Sequence, residues 1–189
     1  MFNIKKAFTL IELLVSMSII TVILSGVLYN YGGFNDSLAV SSATQEMAIT
    51  IRQAQAYGIN VKESGVDSGQ FNYAYGIYFN TQSPSSYVVF VDSTPTNNIY
   101  DGAAELIETV SLRNGVTLRS ICDSTTCPAS AVTAMSVTFI RPNPDARIYF
   151  LNGSTITSGP LTYGRVELNS PKNKRTYVII TNTGQILVQ

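Results

Sequence analysis

Residues 5–20 read KKAFTLIELLVSMSII, two lysines and a small residue followed by an apolar run that continues to Leu28. From Phe8 to Leu28 the run carries one charge, Glu12. At a rise of about 1.5 Å per residue, a helix over this run is roughly 32 Å long, enough to cross the hydrocarbon core of a bilayer. Lys5 and Lys6 precede it with no acidic neighbour, so the positive-inside tendency keeps the N-terminus cytoplasmic and sends the rest outward. A secretory signal has an apolar core of about 7–15 residues and a small-x-small cleavage site. This core is longer, and the VILSGVLYN that closes it offers a poor site. A plain signal anchor accounts for everything except Glu12. A charge at mid-membrane costs about 2.5–3.5 kcal/mol on insertion scales, less near a helix end, so this carboxylate calls for a partner.

Composition narrows what the rest can do. The chain has 189 residues, room for one ordinary domain beside an anchor, with 12 basic against 12 acidic residues. Net charge therefore gives no general argument for nucleic acid or an anionic surface. Charged residues are 13% and histidine is absent, which removes the commonest general base and metal ligand. Cys122 and Cys127 are the two cysteines. In an exported chain an even count reads as a disulfide, here closing a small loop, with two unpaired thiols on a Ser/Thr-rich loop as the alternative. Two cysteines without histidine cannot supply the usual four ligands of zinc. No metal and no cofactor is expected.

Beyond the apolar run, Gly32 and Gly33 predict a bend or loosening of the helix, each costing about 1 kcal/mol of helix propensity relative to alanine. Asp36 or Ser37 is placed to cap a new turn. Val40, Ala43, Met47, Ile51 and Ala54 then recur at spacings of three and four, a core-facing stripe, and Gly58 reads as the C-terminal stop. After Gly58 the period changes. FNYAYGIYF, SYVVFVD, ELIETVSL, VTLRSI, MSVTFI, RIYFL, YGRVEL, RTYVIIT and GQILV are β-branched and aromatic runs punctuated by Gly, Pro, Asn and Ser. The last two, joined through TNTGQ, predict a hairpin with Gly184 at positive φ. Pro142 and Pro144 mark a loop or strand edge. The fold class is α+β: one long N-terminal helix, transmembrane in its first half and amphipathic in its second, packed on an antiparallel β-sheet domain. The expected organisation is 1–7, 8–28, 29–58 and 59–189.

The stretch KKAFTLIELLVSMSII resembles the N-terminus of the type IV pilin superfamily, in which a short basic leader ends in a small residue before Phe-Thr-Leu-Ile-Glu and an apolar helix. The resemblance implies that a prepilin peptidase removes the leader Met1–Ala7 by cleavage between Ala7 and Phe8, and that the new amine of Phe8 is N-methylated. Glycine is usual where this chain has Ala7, also a small residue. The resemblance further assigns Glu12 to the N-terminal amine of a neighbouring subunit, which agrees with the cost of an isolated carboxylate in hydrocarbon. YGIYFN with SYVVFVD, MSVTFI, and the closing VELNS and KRTYVIITNTGQI are similar to minor pseudopilins of the GspH/FimT kind. What this implies is a non-enzymatic subunit of a type IV pilus-like or type II secretion filament. It would be held in the inner membrane by Phe8–Leu28 with its C-terminal domain periplasmic or extracellular, and later carried on the filament surface or tip. Its partners would be other pilin or pseudopilin subunits, the prepilin peptidase and an inner-membrane assembly platform.

Catalytic chemistry finds no foothold. A Ser-His-Asp or Cys-His set needs histidine, phosphate-loop and metal-ligand spacings are missing, and Glu105 with Glu108 reads as a solvated strand or turn. Lys172, Lys174 and Arg175, next to Tyr177, are the best candidates for nucleic acid, since basic groups beside an aromatic can meet phosphates and stack bases. A solvated loop is the plainer reading. The rival functions are a minor pilin that binds DNA for uptake, a major pilin, and a membrane-anchored β domain with no filament role.

Overall fold

The computed structural model describes residues 8–60, 73–93 and 96–189, with the side chains of 30–32 left aside. Helix α1 runs from Leu10 to Ile59, about 75 Å at the α-helical rise. Thr9 caps its start, the hydroxyl accepting from the Glu12 N–H at 3.3 Å. The helix passes through Gly32 and Gly33 as one continuous element, so residues 29–58 continue the N-terminal helix as expected. Two glycines lower propensity by about 1 kcal/mol each, a loss that does not by itself terminate a helix. Nor do Asp36 and Ser37 cap a new turn. Ser37 donates back to the Gly33 carbonyl at 3.1 Å, and Asp36 accepts from the Lys172 N–H at 2.9 Å and the Ser170 hydroxyl at 3.3 Å.

Ten strands follow: β1 Ala74–Asn80, β2 Ser86–Asp92, β3 Leu106–Ser111, β4 Thr117–Cys122, β5 Ala134–Phe139, β6 Ala146–Asn152, β7 Thr155–Leu161, β8 Tyr163–Asn169, β9 Arg175–Thr181 and β10 Ile186–Val188. They form two antiparallel sheets, ordered β3-β2-β1-β5-β6-β7 and β10-β9-β8-β4. Every expected run becomes a strand. The first is trimmed to Ala74–Asn80, its opening residues lying outside the described ones. Strand β7 had no signal in the sequence. It is an edge strand exposed along nearly its whole length, so neither face imposes apolar alternation, and Pro160 near its end is tolerated because an edge needs no donor there.

The stripe Val40, Ala43, Met47, Ile51 and Ala54 is buried as expected, packed with Ile77, Phe79, Val137 and Phe139 of the larger sheet and Val166, Leu168, Val178 and Ile180 of the smaller. Polar contacts fix the helix to the turns around it. Gln55 donates to the carbonyls of Pro144 (2.9 Å) and Gly184 (3.1 Å), and Arg52 to that of Ile186 (3.3 Å). The hydroxyls of Thr44 and Thr176 meet across the helix–sheet interface. Gly184 has φ 78°, as the hairpin requires. Gly58 is not the stop: the helix ends one residue later, capped by Asn60 donating to the Ala56 carbonyl at 2.9 Å. What Gly58 provides is room, because it lies directly against the backbone of Phe139 on β5.

The larger sheet is covered on its other face too. Ser136 and Thr138 of β5 point away from the helix and donate to the Asn98 backbone carbonyl (2.9 Å) and its side-chain oxygen (3.2 Å), while Ile99 packs with Ala134 and Leu151. This cover explains why all of β5 is buried.

Candidate functional site

Along residues 8–28 the helix buries almost nothing within the chain. Phe8, Leu10, Ile11, Met17, Val22, Ile23 and Leu28 are among the large apolar side chains exposed there. The polar side chains of the same stretch are turned back onto the helix. Ser16 donates to the Glu12 carbonyl (2.5 Å), Ser18 to Val15 (2.8 Å), Thr21 to Met17 (2.8 Å) and Ser25 to Val22 (2.8 Å). Hydroxyls satisfied in this way enter hydrocarbon without an unpaired donor. By length and composition this helix can cross a membrane. Glu12 is exposed on it, and among the described residues no side chain pairs with its carboxylate. Phe8 lies just before the Thr9 cap, whereas Ala7 and the rest of the leader fall outside the described residues.

Cys122 and Cys127 are joined in a disulfide. Glu167 lies close to both sulfurs, yet a disulfide has no thiolate to offer a metal. The carboxylate is engaged instead by the Ser120 hydroxyl at 2.7 Å and by Arg119, whose Nε is 3.6 Å away.

The basic cluster near the C-terminus is divided by the fold. Lys172 and Lys174 lie in the exposed turn between β8 and β9, where their backbone N–H groups hold the turn to Asp36 and Ser170. Arg175 is already on β9, opposite Asn169, and borders a cleft on the outer face of the smaller sheet. That cleft brings in two arginines the sequence reading did not single out, Arg119 and Arg165. Alternation along YGRVELN places Arg165, Glu167 and Asn169 on one face, but only the register β4-β8-β9 shows which groups stand opposite them.

Glu105 corrects the sequence reading. Rather than sitting on a solvated strand it is 1% exposed, its two oxygens accepting from the N–H groups of Ser93 and Asp101, both at 3.0 Å. Glu108, on edge strand β3, is exposed as expected. The contrast follows from the loop cover: Glu105 organises its backbone, alongside Asp92, which accepts from the N–H groups of Asn97 and Asn98 at 3.0 Å each. Burial pushes the Asp92 carboxyl up to about 6, the charges of Glu105 and Asp101 adding to the effect against the two N–H donors. Relative to its ordinary value of 3.8, the folded state then holds this proton longer than the unfolded chain. Stability from this group is therefore greatest at acid pH and falls as pH rises from about 4 to about 6, levelling off above that. Urea unfolding across this interval should show the decline, and Asp92→Asn should flatten it.

No curated protein and no solved structure matches the chain. Residues 3–28 match the family model described as the prokaryotic N-terminal methylation motif. The match covers the basic leader from residue 3 and the exposed apolar stretch that opens α1.

Proposed function

We propose that this chain is a structural, non-catalytic subunit of a type IV pilus-like or type II secretion filament, of the minor pseudopilin or minor pilin class. One observation carries the proposal: the methylation motif begins a 50-residue helix whose first half leaves its apolar surface uncovered within the chain. Surface of that kind needs lipid or other helices around it, and a filament core supplies the second when the subunit leaves the first. In this reading residues 1–7 are the leader, cut off between Ala7 and Phe8, and Phe8 carries the methylated amine. Residues 8–28 anchor the subunit in the inner membrane, 29–58 continue the helix along the domain, and 59–189 form the domain on the periplasmic side. Glu12 pairs with the amine of a neighbouring subunit. The choice of a minor subunit rests on the likeness of the β runs to the GspH/FimT kind.

The test is the N-terminal mass of the protein taken from membranes of cells that carry a prepilin peptidase. A chain starting at N-methylated Phe8 is the expected result. A chain starting at Met1, or beginning beyond Leu28, would remove the filament reading in favour of an anchored or secreted β domain.

A further inference from the structure

The cleft on the outer face of the smaller sheet has a volume of about 430 Å³ and three guanidinium groups, Arg119, Arg165 and Arg175, around one carboxylate, Glu167. Their placement is set by pairing. Ser120 stands opposite Glu167 across β4 and β8, Cys122 opposite Arg165, and Arg175 on β9 opposite Asn169. Cys127 of the disulfide forms part of the wall. Side chains mounted on paired strands are held more closely than those on a loop.

Arg119 and Glu167 balance one another at 3.6 Å, with Ser120 holding the carboxylate. Arg165 and Arg175 have no acidic partner among the described residues. Arg165 also lies over the Tyr177 ring, 4.9 Å from its centroid, and its Nε is buried with no acceptor. Two uncompensated guanidinium groups match a dianion, and their planar donor forks fit the oxygens of phosphate. A phosphate monoester carries about 1.5 to 2 negative charges at neutral pH.

We propose that this cleft binds a phosphate dianion, either free or as a monoester, through Arg165 and Arg175, with Arg119 held in reserve by Glu167. The inference does not depend on the filament assignment.

The test is calorimetric titration of the full chain, in uncharged detergent at low salt, with inorganic phosphate and in parallel with glycerol 3-phosphate. One site per chain is expected. Arg175→Gln, at an exposed position, should weaken binding about tenfold, the loss of one charge-assisted contact. Arg165→Gln should do the same. Glu167→Gln should tighten binding, because it frees Arg119. A chain with Lys172→Gln and Lys174→Gln should bind as the parent does. Tighter binding of the ester would identify an esterified source, and equal binding a free ion. No saturable heat with either ligand would overturn the proposal. So would an equal loss in the double-lysine chain, or a preference for duplex DNA that depends on those lysines, since both would describe diffuse attraction to a basic surface.

Discussion

Gly58→Ala should destabilise the folded domain by about 3 kcal/mol, although alanine is the better helix former by about 1 kcal/mol. Gly58 lies in the last turn of α1. A Cβ built there would overlap the Phe139 carbonyl oxygen and stand 2.8 Å from the carbonyl carbon and 2.9 Å from the Phe139 Cβ. Two of these are backbone atoms of β5, a strand paired with β1 on one side and β6 on the other and buried on both faces. It cannot rotate away as a flexible side chain would. Relief requires lifting the helix end, and with it the contacts of Ile51, Ala54 and Gln55. Overpacking commonly costs about 1–3 kcal/mol, and contact with fixed backbone puts this site at the upper end. Gly33→Ala is the matched control, because a Cβ there meets nothing within 4 Å. Denaturant unfolding of both variants should show a large loss in the first and a small gain or no change in the second. Equal, small effects would show that the helix end moves freely over β5.

The same glycine shows where the sequence stopped being legible. Its helix, the buried stripe and nine strands were readable because each is recorded in local periodicity or in β-branched composition. The closing hairpin was readable because Gly184 sits in a recognisable turn. What Gly58 does is decided by Phe139, 81 residues away (139 − 58) and brought near by the packing of α1 on the larger sheet, and nothing around "AYGIN" encodes it. The same limit hid the burial of Glu105, which depends on a loop folding over the far face of β5. It also hid the convergence of Arg119 with Arg165, which depends on the register between β4 and β8. Strand β7 was missed for the opposite reason. With no buried face it has no pattern to read. At the membrane end the situation reverses: in the proposed filament the motif from Lys5 to Ile20 says more about assembly than the geometry of one chain can, because the proposed partners of that segment belong to other chains.

Glu12→Leu should leave the chain in the membrane, cut at the same position, and lower its recovery in sheared filaments by at least a hundredfold. Leucine favours insertion, since it removes a charge that costs about 2.5–3.5 kcal/mol at the centre of a membrane helix. Any effect on anchoring is therefore in the direction of retention. Assembly is different. If the Glu12 carboxylate compensates the N-terminal amine of a neighbour inside the packed helices, its removal leaves that amine buried and unpaired. Breaking a buried ion pair from one side typically costs about 3–5 kcal/mol, which is about two to four orders of magnitude in an association constant. Glu12→Asp keeps the charge but withdraws it by one methylene, and should fall between the two. The N-terminal mass of Glu12→Leu, compared with that of the parent, separates a fault of processing from a fault of assembly. Glu12 is exposed and its carboxylate has no partner among the described residues, so the substitution removes no side-chain contact within the folded chain. Filament recovery equal to that of the parent, with normal cleavage, would show that this carboxylate is an interfacial charge and plays no part in registering subunits.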